Sequence, residues 1–166
     1  MEKTIKNYRI TNPRKIRVKH CQSSDIKGMY DLFSQEGCNK SENKFSNEQE
    51  CIFLDGIQER IARNNKTDKK ASADFLICVN DNKVLLADAK FRVRNIENVE
   101  RSSLNSKIDQ SRVLIESDDY MVENKLFIVY SKKILTPQKA NRLSSITGNS
   151  PRFHFLTAEQ FRGIFE

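Results

Sequence analysis

Ala73-Asp74-Phe75-Leu76-Ile77-Cys78-Val79, then Asn80-Asp81-Asn82, then Lys83-Val84-Leu85-Leu86-Ala87-Asp88-Ala89-Lys90-Phe91 is the stretch that decides the fold. Two apolar runs of strand length flank a short polar turn, which reads as a β-hairpin. Each run is apolar at odd and even positions alike, so both faces of both strands are expected to be covered. That pattern belongs to a central sheet with helices on either side, an α/β architecture, and not to a half-exposed hairpin.

Asp74, Asp88 and Lys90 break these apolar runs. In a hairpin turning near Asp81, residues whose numbers sum to roughly 162 to 164 face each other, which sets Asp74 opposite the stretch from Asp88 to Lys90. Asp88 and Lys90 are two apart and share a face. Two carboxylates and an ammonium therefore converge at the open end of the hairpin. Burying them costs several kcal/mol unless they pair or hold a metal. A plain Asp–Lys ion pair satisfies one carboxylate and leaves the other without a partner. Asp/Glu-x-Lys occurs six times in the chain, so the tripeptide alone says little. Only Asp88-Ala89-Lys90 closes an apolar strand with an acid facing it, and that context points to a metal site.

Working outward, Ser46 is a suitable N-cap for a long helix over residues 46–64, whose Leu54, Ile57 and Ile61 form one stripe. Glu50 falls on that stripe four residues before Leu54, while Glu48 and Glu59 point away. Glu50 is thus a fourth candidate for the site; an exposed first-turn carboxylate favoured by the helix dipole is the alternative. Residues 64–72 are polar and turn-like. Beyond the hairpin, a helix over 98–117 carries Leu104, Ile108, Ser111 and Ile115 on one face, and 126–130 forms another buried strand. Pro137 introduces a helix over 138–145, followed by a strand over 153–156 and a terminal helix reaching Phe165. Upstream, Ile16 and Val18 alternate with basic residues over 15–21 as an edge strand. Ser24 caps a short helix through Met29, Leu32 and Phe33 that ends at Gly37.

These residues resemble the PD-(D/E)xK nuclease superfamily, the restriction-endonuclease-like fold. The likeness consists of Glu50 on a helix, Ala73-Asp74 opening one strand, Asp88-Ala89-Lys90 closing the next, then a helix and the strand 126–130. It covers residues 46–132, and Ala73 stands where the family commonly has Pro. The resemblance implies a mixed central β-sheet flanked by helices and Mg²⁺-dependent hydrolysis of phosphodiester bonds, with Mn²⁺ able to substitute. By the same resemblance Asp74, Asp88 and the backbone carbonyl of Ala89 bind the metal. Lys90 orients the attacking water or stabilises charge growing on phosphorus, and Glu50 helps to hold a second metal or its water. Gln110 stands where some relatives carry a functional Gln. Oxygen donors suit a hard cation such as Mg²⁺. Lys69, Lys70, Arg92 and Arg94 lie close by in sequence and are candidates for phosphate contacts, with solvated loop charges as the alternative.

The whole chain has the size of one domain: 166 residues, 37% hydrophobic and 31% charged. Its formal charge of +7 favours a polyanionic partner. The nuclease resemblance implies DNA first, with RNA as the variant, and a homodimer stays open. Residues 1–19 hold seven basic residues against Glu2 alone, while the remainder carries 22 against 21, so the excess is concentrated in an N-terminal segment. That segment reads either as a solvated face or as an arm on phosphates. Cys21, Cys38, Cys51 and Cys78 form no C-x-x-C pair, and His20-Cys21 alone does not make a zinc site. Scattered thiols, no apolar run of membrane-spanning length and no apolar leader point to a cytoplasmic protein without a membrane partner. Two functional classes remain: a metal-dependent nuclease, and a non-catalytic nucleic-acid-binding or assembly module on the same fold.

Overall fold

The computed structural model describes residues 8–96 and 99–166. In chain order the elements are β1 (Ile26–Gly28), α1 (Met29–Gln35), β2 (Glu50–Phe53), α2 (Leu54–Asn65), β3 (Phe75–Val79), β4 (Lys83–Lys90), α3 (Arg101–Leu114), β5 (Met121–Tyr130), α4 (Pro137–Ile146), β6 (Phe153–Thr157) and α5 (Ala158–Arg162). The strands form one six-stranded sheet in sequential order. β1 to β4 run antiparallel to their neighbours, whereas β4, β5 and β6 are mutually parallel. The fold is α/β, with a mixed central sheet flanked by helices.

The doubly apolar strands are explained by the two cores they separate. Leu76, Cys78, Val84, Leu86, Leu126 and Ile128 face a mostly aliphatic layer with Ile57 of α2, Leu104 and Ile108 of α3 and Leu143 of α4. Phe75, Ile77, Val79, Leu85, Phe127 and Val129 face an aromatic layer in which Phe33 of α1 and Phe161 of α5 meet Phe45 and Phe165. Period-two alternation sends successive residues to opposite layers, so neither face tolerates a polar run. The hairpin turn places Asp81 and Asn82 at φ 63° and 53°, the left-handed region that Asp and Asn enter at low cost.

Three local expectations are corrected. Residues 46–64 are not one helix: Glu50–Phe53 is strand β2, and the helix begins only at Leu54. Cys51 packs in the aromatic layer and Ile52 in the aliphatic one, an alternation that a helix cannot produce. Extrapolating the stripe of α2 back by one turn put Glu50 on the wrong element. Residues 15–21 make no edge strand. Ile16 and Val18 are buried, but Val18 makes a single bridge to Ile115, with Lys19 N–H donating to the Leu114 carbonyl at 2.7 Å across the end of α3. The helix expected from Ser24 is divided into a 3-10 turn (Ser23–Asp25), β1 and α1, and Gly37 at φ 98° does stop it.

The expected helix over 98–117 corresponds to α3, shorter at both ends, and its first expected residue, Asn98, lies outside the described residues. So do the first seven residues of the basic N-terminal segment. From Tyr8 onward that segment is tied down: Tyr8 N–H donates to Ile164 at 2.8 Å and Thr11 N–H to Cys78 at 2.9 Å. Ile16 and Val18 are its buried anchors, while Lys15, Arg17 and Lys19 are exposed.

Candidate active site

The hairpin register pairs Phe75 with Ala87, one step from Asp74 opposite Asp88, as the sum rule anticipates. Asp88 and Lys90 lie at the C-terminal end of β4, beside Ile128 and Tyr130 of β5. Asp88 belongs to the even-numbered, aliphatic-side face of β4 and is fully buried. Its carboxylate is held from two directions: Asp74 N–H donates to Oδ1 at 2.8 Å, and Lys107 Nζ on α3 donates to Oδ2 at 2.5 Å. Ala89 N–H in turn donates to Asp74 Oδ2 at 2.8 Å. Each acid is thus fixed by a backbone donor of the other strand, which is how the hairpin register becomes a rigid spacing of two carboxylates.

Burial, reinforced by the negative charge of Asp88, pushes the Asp74 carboxyl up to about 7. The Ala89 N–H and the ammoniums of Lys107 and Lys90 work in the opposite direction without cancelling it. Burial disfavours the Lys107 ammonium, but the adjoining Asp88 carboxylate outweighs it and the lysine titrates above its usual range. Lys90 makes no ion pair among the described residues. An open pocket of about 330 Å³ collects Asp74, Lys90 and Lys107 with Asp55, Lys69, Lys70, Ala71 and Ser72.

Local structure positions these groups. Ser111 is buried on α3, where its hydroxyl accepts from Ala73 N–H at 2.8 Å and donates to the Lys107 carbonyl at 2.6 Å. It pins the residue before Asp74 to the helix that carries Lys107. Asp55 N–H, in the first turn of α2, donates to the Asp74 carbonyl at 3.1 Å. These bonds lock Asp74 between two helices.

The structure therefore brings Asp74, Asp88, Ala89 and Lys90 together. It does not bring Glu50. That residue sits at the start of β2, opposite Gly28, where its carboxylate takes a two-pronged ion pair from Arg14 that holds it below the usual carboxylate range. Lys69 and Lys70 line the pocket, with Lys69 pairing Asp55 at 2.6 Å. Arg92 donates to the Gln35 carbonyl at 2.7 Å and ties the turn after β4 to α1, while Arg94 is exposed. Gln110 lines a neighbouring pocket.

Sequence reasoning missed four residues. Lys107 and Ser111 are a helical turn apart on α3, and Lys107 is next to the Leu104–Ile108 stripe, a spacing that marks it as near the core but says nothing of its partner Asp88. Asp55 and Glu36 carried no such signal. Glu36 follows α1 directly, and burial followed by the charge of Asp55 raises its carboxyl, with Arg92 and Lys90 countering. Among the described residues no three His, Cys, Asp or Glu side chains cluster closely enough to form a ready-made metal cage, all four cysteines are free, and no helix is long and apolar enough to cross a membrane. No protein-family model, curated protein or solved structure matches this chain.

Proposed function

We propose that this chain is a metal-dependent nuclease that hydrolyses phosphodiester bonds, with DNA as its substrate, on a restriction-endonuclease-like fold. One observation carries the reading: two carboxylates are locked by reciprocal backbone donors, with Asp74 lining a pocket beside Lys90 and Lys107 and Asp88 buried directly behind it. Such a set is a poor structural device, because Lys107 neutralises Asp88 and leaves Asp74 holding a raised pKa.

The donor set fits Mg²⁺. Its groups are hard oxygens, and both the burial that chiefly lifts Asp74 and the added repulsion from Asp88 are offset by a bound divalent cation. Asp74, Asp88 and the Ala89 carbonyl would hold the ion, with Mn²⁺ able to replace it. When bound, it supplies a Lewis acid that polarises the phosphoryl group and lowers the pKa of water. The chain supplies the rest. Lys90, which makes no ion pair among the described residues and lines the pocket, stabilises the charge growing on the phosphoryl oxygens. Lys107 holds the Asp88 carboxylate in place and adds a second positive charge. Lys69 and Lys70 hold the flanking phosphates at the rim.

The Lys107–Asp88 pair also favours a second reading, since a carboxylate neutralised by its own lysine suits a non-catalytic binding module. The experiment that separates them incubates the protein with supercoiled plasmid, linear DNA and structured RNA, in Mg²⁺ or in EDTA. Mg²⁺-dependent cleavage of DNA is expected. Lys90→Met should lower cleavage by about two orders of magnitude or more with DNA binding retained, and Asp88→Asn should abolish it. Cleavage of RNA alone would reassign the substrate. Protein that binds nucleic acid and leaves every substrate intact in both Mg²⁺ and Mn²⁺ is the binding module.

A further inference from the structure

A second pocket lies next to the one that Asp74 lines. It measures about 320 Å³ and lies between α2 and α3, with Ile61, Ala62, Val113 and Leu114 among its walls and Gln58 and Gln110 beside them. Lys70 lines both pockets. On α3, Gln110 stands three residues beyond Lys107, roughly 4.5 Å along the axis and adjacent on one face.

Gln58 carries the argument. It is only 4% exposed, yet among the described residues its side-chain amide neither donates nor accepts a hydrogen bond. Other buried polar side chains, such as Asp25, Ser111 and Thr147, are bonded. The amide has no protein partner, although the stripe of Leu54, Ile57 and Ile61 on the same helix would accept an apolar side chain there. The Gln58 polar atoms are not sealed in the interior; the pocket is the space they line.

An amide offers a donor and an acceptor side by side, the pattern that pairs with the N6 and N7 edge of adenine. Apolar walls suit the faces of a ring, and Val113, at 55% exposed, is the most exposed large hydrophobic residue described. We propose that this pocket takes an unstacked nucleobase, adenine by its hydrogen-bonding edge, from the nucleotide whose phosphate lies at Lys90 and Lys107. A cleft between two helices admits a base only out of its stack, so the pocket selects distorted or single-stranded sites. The location of the phosphate rests on the nuclease reading; the base pocket does not.

The test titrates the full chain with adenosine 5′-monophosphate, adenosine and inorganic phosphate, following side-chain amide resonances by NMR. Adenosine and its monophosphate should shift the Gln58 amide and phosphate should not, with the monophosphate binding most tightly. Gln58→Leu should weaken binding of the monophosphate about ten- to a hundredfold and leave phosphate affinity unchanged. Monophosphate that binds no better than phosphate, or equally well to Gln58→Leu, overturns the proposal. Adenosine binding without any phosphate binding would uphold the base pocket and count against the nuclease reading instead.

Discussion

Lys107→Met removes the cation from a carboxylate with no access to water, and the structure sets both ends of the expected cost. Asp88 is fully buried and Lys107 is the partner of its Oδ2 at 2.5 Å. Breaking a buried pair on one side typically costs about 3–5 kcal/mol. The upper end is capped here, because Asp88 can escape by taking a proton. Keeping a carboxyl of ordinary pKa about 3.9 protonated at pH 7 costs about 4 kcal/mol. The expected loss at pH 7 is therefore about 3–4 kcal/mol, or roughly 6–16 °C in the thermal midpoint for a chain of this size. The cap also gives the loss a pH signature. In the variant the folded carboxyl has a raised pKa, so the deficit should shrink as pH falls from 7 towards 4. Mg²⁺ should then restore more stability to the variant than to the wild type, since it supplies the missing positive charge. Urea denaturation at several pH values, with and without Mg²⁺, measures all three. A loss under about 1 kcal/mol at pH 7, or one that does not vary with pH, would refute the reasoning.

Two further outcomes follow from the same geometry. The Asp74 carboxyl is raised to about 7 in the folded chain, so its contribution to stability is fully present below about pH 4 and is lost as pH rises through 7. Asp74→Asn should flatten that decline in the wild-type denaturation midpoint between pH 4 and 8 and remove any stabilisation by Mg²⁺; an unchanged pH profile would contradict the assignment. Glu50→Gln should cleave at the wild-type rate, because Glu50 belongs to the Arg14 pair at the start of β2, and a loss of more than tenfold in kcat would return it to the site.

The hairpin was readable because it is local. The spacing of apolar residues fixes the pleat, a three-residue polar turn fixes the register, and together they put Asp74 next to Asp88 without knowledge of the rest of the chain. The buried strand at Leu126 and the helix after Pro137 were legible for the same reason. What failed depended on distant partners. Glu50–Phe53 is a strand because β1 and β3 offer it two ladders, and no local pattern in four residues reports that. Ile16 and Val18 are buried without being a strand because they lie over the end of α3. Lys107 was invisible as a site residue because its partner, nineteen positions earlier, is reached only once α3 folds back over the sheet.

β4 is the strand where the sheet changes from antiparallel to parallel pairing, and this divides the molecule into a fixed end and an adjustable end. Lys90, Tyr130 and Thr157 end their strands side by side, so the segments that follow β4, β5 and β6 all leave from the edge that holds the carboxylates. The opposite edge carries the hairpin turn and no site residue. Length and charge of the two connections after β4 and β5 can therefore change what reaches Asp74 and Asp88 while every strand pairing stays as it is. On the proposed nuclease reading, replacing those surface loops alone would change which substrate the same frame admits.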